Sequence, residues 1–377
     1  MKTKVILALC ALPMLAGCGS SSSGQSSTPA ASVVGSSTKT PTPIPGRATA
    51  TLAVPPADTP TPGPPTLVVH PGDDVIAVIR SAPAGSVVAF ASGTYASLRL
   101  QASDVQGPLS LVADVNGQLT DGSPLPVLIA AGTGAPAALV LSGISGLTID
   151  GFTIEGGTDE ALYVSSSPQT TVQNCIVRAS DGDGIFVEAA DQTVILDNIV
   201  VGNHRAGIRA YGASSLQAIN NTVYGNHDNG VSVGNAQEPS ANVTVVNNIV
   251  SANAPAGIVV DATTSGYDGN FNLNTDGYGP DTPSGPNDID MNPLFVDPQG
   301  GDFHLADGSP AIDTGDSAID ADAVILLEQR GTRIDGSADN EPLDLGYQYP
   351  TPPPTPTPLP RNTRKKTATP TPTRVGG

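Results

Sequence analysis

Six segments of the sequence repeat in one phase: LTIDGFTI at 147–154, TVQNCIV at 171–177, VILDNIV at 194–200, QAINNTV at 217–223, TVVNNIV at 244–250 and YDGNFNL at 267–273. Their last residues, Ile154, Val177, Val200, Val223, Val250 and Leu273, are spaced by 23, 23, 23, 27 and 23 residues, the long step matching a four-residue insertion around GNAQEPSAN. A second run follows in each unit (ALYV, GIFV, GIRA, GVSV, GIVV), with Gly184, Gly207, Gly230 and Gly257 in phase. A unit of this length cannot cover its own apolar face, so units stack and bury it between them. The runs are short, alternating and β-branched, with no helix-length segment, which separates them from leucine-rich repeats and predicts an all-β parallel β-helix of about 23 residues per coil and two strands per unit.

Stacking at about 4.8 Å turns residues of equal phase into ladders. Asn174, Asn220 and Asn247 share one phase with Asp197 between them, and Asn198, Asn221 and Asn248 share the next. Amides stacked in this way can hydrogen-bond along the ladder. Cys175 falls in the second phase and reads as a small buried hydrophobe.

Composition agrees, with 42 Gly, 36 Pro and no Trp in 377 residues. The start, MKTKVILALCALPMLAGC, has two lysines and an apolar run too short to span a bilayer, which predicts a secretory leader. LAGC at 15–18 resembles a bacterial lipobox, which implies a lipoprotein signal peptide at 1–17 and a diacylglycerol on Cys18, holding the protein to the cell membrane through lipid alone. Residues 18–65 are a Ser/Thr/Pro-rich tether, and 350–377 a basic Pro/Thr-rich tail. With Cys10 in the leader and Cys18 lipidated, Cys175 has no partner for an intrachain disulfide.

The segment 67–349 carries 34 Asp and Glu (the chain's 35 less Asp58) against 7 Arg and no Lys, a formal charge of −27. That field opposes nucleic acid and bare polyanions and leaves neutral glycans, cations or proteins as partners, with a monomer expected.

The string TLVVHPGDDVIAVIRSAPAGSVVAFASGTY from Thr66, followed by GLTIDGFTI, resembles the opening of the right-handed parallel β-helix proteins related to pectate lyases, in which a short helix, here near Asp73 to Ser81, covers the first coil. NPLFVDPQGGDFHLADGSPAIDTGD with DLGYQY at 344–349 resembles the closing segment of surface-anchored β-helix proteins, often called a choice-of-anchor domain. The resemblance implies a β-helix over 66–290 and a C-terminal cap over 291–349. Asp302, His304, Asp313 and Asp316 in that segment read as turn and cap residues. DGNFNLNTDG at 268–277 superficially resembles a calcium loop, but it lacks the terminal acid and keeps the coil register, so calcium remains only a candidate cofactor and no metal ligand is assigned.

Chemistry concentrates on one turn. Gly-Asn-His occurs at 202–204 and 225–227, and the third coil places Ala254 where the others place His204 and His227, so the turn does not require His. In register stand Asp181, His204 and His227, then Asp159, Arg205 and Asp228, with Glu160 and Asp183 one residue on and Arg209 on the following strand. Asp181, His204, Arg205 and His227 are the candidate catalytic groups, and Asp159, Asp183, Arg209 and Asp228 the candidate substrate-binding ones. Paired acids would serve hydrolysis; a His base with an Arg clamp would serve elimination or epimerisation of a uronate. Lysine-based lyase chemistry is excluded, and no Gly-His-Gly occurs. The expected function is a cell-surface lipoprotein that binds an extracellular polysaccharide and could process it. The alternatives are a polysaccharide lyase, epimerase or hydrolase built on this ladder, and a non-catalytic adhesin or stalk.

Overall fold

The structure is a computed structural model that describes residues 66–120, 125–339 and 342–350; the leader with Cys18, the tether and nearly all of the basic tail lie outside the described residues. The chain winds through three parallel sheets of nine, seven and eight strands, each complete coil adding one strand to each sheet. In the nine-stranded sheet Thr148, Thr171, Val194, Gln217, Thr244 and Asp268 are successive partners.

Each regular coil has three strands, not the two expected. The first run breaks at a left-handed residue: Thr171–Gln173 and Ile176–Arg178 flank Asn174 at φ 57°, and Asp197, Asn220 and Asn247 repeat that conformation at 56°, 52° and 60°. Asn and Asp tolerate this region better than other residues with a Cβ, so a short polar residue between two apolar runs marks a corner. Inward positions form continuous columns, among them Val172, Ile195, Ala218 and Val245, then Val177, Val200, Val223 and Val250, then Ile185, Ile208, Val231 and Ile258, all with no measurable exposure. Burying each Val or Ile stabilises the stack by about 1.5–3 kcal/mol.

The register slips once against expectation. Leu273 pairs with Ile249, and Asn274 takes the place opposite Val250, so the last step is 24 residues. The apolar column ends there: Asn274 donates to the Gly277 carbonyl at 2.9 Å, while Leu273 packs outward beneath Leu305 and Leu345.

Two buried amide ladders pin the corners. Asn198, Asn221, Asn248 and Asn272 pass hydrogen bonds of 2.9 to 3.0 Å from each Nδ2 to the next Oδ1. Asn203, Asn226 and Asn253 do the same at 2.9 Å, ending on Asp276. The Asn174, Asn220 and Asn247 phase does not stack in this way, because its left-handed backbone turns the side chains aside: Asn220 donates to the Asp344 carbonyl and Asn247 to that of Asp316. Glycine at 207 is required by close approach, since a Cβ there would lie 2.8 Å from Asn226 Nδ2 and 2.5 Å from a Val223 methyl.

A helix at Val75–Ser81, N-capped by Asp74, lays Ile79 into the core at the first coil. At the other end, 291–350 runs along the flank of two sheets. Leu343 meets Leu196, Ile219 and Val246; Leu345 meets Ile249; Tyr347 meets Ile199 and Phe303. This contact accounts for the apolar residues pointing outward from those strands. It also explains Asp197 in an Asn column: fully buried, it accepts from Gln348 N at 2.6 Å and Arg330 at 3.4 Å. Among the described residues no helix is long and apolar enough to cross a membrane.

Candidate functional site

The second ladder explains the Gly-Asn-His turn. Asn203 and Asn226 point inward and carry the corner, so the next residue of each coil is pushed into solvent. His204 and His227 therefore stand one above the other, rings 5.1 Å apart and 23° from parallel. Asp181 completes that column, with Oδ1 3.3 Å from His204 Nδ1, all on the exposed rim.

The strands after these turns belong to the seven-stranded sheet and supply the floor. Outward positions run Arg99, Val140, Tyr163, Phe186, Arg209, Ser232 and Val259 in one column. Ser142, Ser165, Glu188 and Tyr211 form the next. Tyr163 and Phe186 stack at 5.4 Å, and Phe186 meets Tyr211 edge-on at 5.5 Å. Glu160 and Asp183 are direct partners across adjacent strands.

These parts enclose an open groove of about 610 Å3 lined by Glu160, Asp183, Phe186, His204, Arg205, Arg209, Tyr211, His227 and Asp228. Arg209 is its organising cation. Nε bonds Asp183 at 2.8 Å, one terminal nitrogen reaches Asp228 at 3.1 Å, and the other donates to the Tyr211 hydroxyl at 2.6 Å. Asp183 also accepts the Ala206 N–H at 2.9 Å.

Electrostatics divide the carboxyls. Burial pushes Glu160 up to about 7, and the negative charges of Asp159 and Asp183 push the same way against Arg205. Burial raises Asp183 as well, opposed by its contact with Arg209. Tyr163 is raised by burial and by its hydrogen bond to Glu188. A half-buried acid that titrates near neutrality beside an ion-paired one is the pattern of groups with divided proton-transfer roles.

Of the eight candidates read from the sequence, Asp183, His204, Arg205, Arg209, His227 and Asp228 line the groove together. Asp181 sits at its rim on His204, and Asp159 is exposed behind Glu160 and acts on it through charge. The floor residues Phe186 and Tyr211 were missed, and Glu160 was placed in register but not selected. The available signal was a bulky aromatic at the outward position of an alternating strand.

A second concavity of about 530 Å3 includes Asp150, Asn174, Arg330 and Tyr347. Within it Asn174 Nδ2 donates to Asp150 at 2.6 Å, and Arg330 turns to Asp197, so the concavity gathers fewer convergent titratable groups than the first groove. The calcium-like loop is absorbed into the ladders, with Asp276 accepting from Ala252 N, Asn253 N and Asn253 Nδ2 at 2.7 to 2.9 Å. In the flank segment Asp302 pairs with His304 at 2.6 Å and Asp316 with Asn247. Asp313 lies with Asp339 and Asp344, carboxyl oxygens within 4.8 Å, but Asp344 is served by Thr332 and the Asp313 N–H, and Asp339 by Gln348 and the Asp344 N–H.

Residues 137–276 match the family described as "Right handed beta helix region". No curated protein matches the sequence. Among solved structures, a pectate lyase, Pel9A, is similar at 11% identity, covering 76% of this chain and 96% of its own with a TM-score of 0.43. The periplasmic alginate epimerase AlgG is similar at 12% identity, covering 51% and 70% with a TM-score of 0.26. Together with the parallel coil register, this match gives the architecture of a right-handed parallel β-helix.

Proposed function

We propose that this protein is a cell-surface lipoprotein, anchored through lipid on Cys18, that binds an extracellular polysaccharide along the groove of the seven-stranded sheet. The observation that carries the reading is the pairing, in one open groove, of an apolar floor from Phe186 and Tyr211 with a dense set of hydrogen-bonding groups: Glu160, Asp183, Arg205, Arg209, His204, His227 and Asp228. Sugars present both C–H faces and hydroxyl edges, and a site with apolar ground and a few oriented polar groups matches that chemistry. The field of the domain, 34 acids against 7 Arg, disfavours polyanions. The Pro/Thr-rich tether fits display of the domain away from a lipid anchor. A passive stalk has no use for a partly buried Arg209 holding two carboxylates.

The test is a glycan array probed with the purified full chain and with Phe186→Ala and Tyr211→Ala. Retained glycans should weaken by about 5- to 150-fold in each variant, the loss of one aromatic contact being worth about 1–3 kcal/mol. Undiminished retention would remove the groove as the binding surface.

A further inference from the structure

We propose that the groove hydrolyses a neutral polysaccharide, with Glu160 as the proton donor to the glycosidic oxygen. The inference rests on the polysaccharide reading above and adds to it a charge class and a reaction.

The charge class follows from how the groove spends its cations. Arg209 is held by both Asp183 and Asp228, leaving Arg205 as the lining arginine without a carboxylate partner among the described residues. Against it stand Glu160, Asp183 and Asp228, with Asp159, Asp181 and Glu188 close behind. A uronate would meet a surplus of carboxylates, and elimination requires its carboxylate to be neutralised. A neutral sugar meets no such repulsion.

The reaction follows from Glu160. It is half-buried and lines the groove, and no hydrogen bond or ion pair engages its carboxyl among the described residues. The charged groups acting on it are Asp159, Asp183 and Glu188, which favour its protonated form together with burial, and Arg205, which opposes it. Its strand partner Asp183 is ion-paired to Arg209 and accepts the Ala206 N–H, and both contacts oppose the rise that burial causes. As the bond from the anomeric carbon to the glycosidic oxygen breaks, that oxygen keeps the electron pair and takes the Glu160 proton, while Asp183 supplies fixed negative charge to the developing oxocarbenium. Water then bonds the anomeric carbon, and its released proton restores Glu160.

The full chain would be incubated with arabinoxylan, mixed-linkage β-glucan and galactomannan, and separately with polygalacturonate and alginate, following binding, new reducing ends and the absorbance of unsaturated uronates. New reducing ends from a neutral polymer, without unsaturated product, are expected. Glu160→Gln should lower turnover by at least about 100-fold while binding persists. Asp159→Asn, at an exposed position outside the lining, should move the alkaline limb of the rate profile to lower pH, because it removes one charge that keeps Glu160 protonated. Unsaturated products, binding of a neutral polymer without new reducing ends, or full turnover by Glu160→Gln would each overturn the proposal and leave binding intact. Retention of none of the five polymers would overturn the polysaccharide reading itself.

Discussion

Asn226 and His227 are neighbours in one turn, and replacing each by Ala separates what builds the turn from what the turn displays. Asn226 Oδ1 accepts from Asn203 N at 3.0 Å and Asn203 Nδ2 at 2.9 Å, while its own Nδ2 donates to the Val200 carbonyl at 3.1 Å and to Asn253 Oδ1 at 2.9 Å. Truncation deletes all four bonds. Asn253 Oδ1 keeps the Asn226 N–H, and Asn203 Nδ2 keeps a long contact to the Val177 carbonyl, but the buried Asn203 N–H loses its acceptor and a cavity opens below Gly207. One orphaned buried donor, at about 1–3 kcal/mol, and the lost ladder bonds, at about 1 kcal/mol each, place Asn226→Ala at roughly 3–5 kcal/mol of destabilisation. For a domain of this size that lowers Tm by roughly 6–20 °C. His227 is exposed and its ring stacks on that of His204, so His227→Ala should stay within about 0.5 kcal/mol. Thermal and urea unfolding followed by circular dichroism measure both. A His227→Ala loss as large as that of Asn226→Ala would make the histidines part of the scaffold, and an Asn226→Ala loss under about 1 kcal/mol would refute the ladder account.

Stability should also depend on pH in a direction set by the raised carboxyls. Burial lifts Asp197 and Glu160 to about 7, so the folded protein holds protons that the unfolded chain gives up near pH 4. Their contribution is full below about pH 4 and is lost as pH rises through about 7, so Tm by scanning calorimetry should be higher at pH 5.5 than at pH 8. Asp197→Asn keeps an acceptor for Gln348 N and should flatten part of that slope; a Tm that rises with pH would contradict the assignment. For the anchor, Cys18→Ser should move the protein from the detergent phase to the aqueous phase and abolish incorporation of labelled fatty acid, and unchanged partitioning would show that Cys18 is not the lipid site.

Much of the fold was legible because a stacked coil writes its core into the chain periodically. The phase of Val177, Val200, Val223 and Val250 and the step of 23 residues need no structure to read, since each inward side chain packs on its equivalent one coil away. The same logic aligned His204 with His227 and Glu160 with Asp183. The third strand per coil was hidden because a single left-handed Asn leaves the apolar pattern on either side unbroken. The slip at Leu273 was hidden because Leu fits the column as well as Asn274, which takes it.

The tertiary structure alone decided which outward residues meet. Periodicity says that Phe186 and Arg209 share a column, but only the packed geometry bends the Arg209 side chain to Asp183, Asp228 and Tyr211 at once. It also decided that Asp197 would be buried, since its cover, Gln348, lies 151 residues away along the chain. The sequence by itself determined the coil, because neighbour-to-neighbour stacking repeats a local rule. The groove and the flank segment depend on side-chain reach and long-range docking, which no local rule encodes.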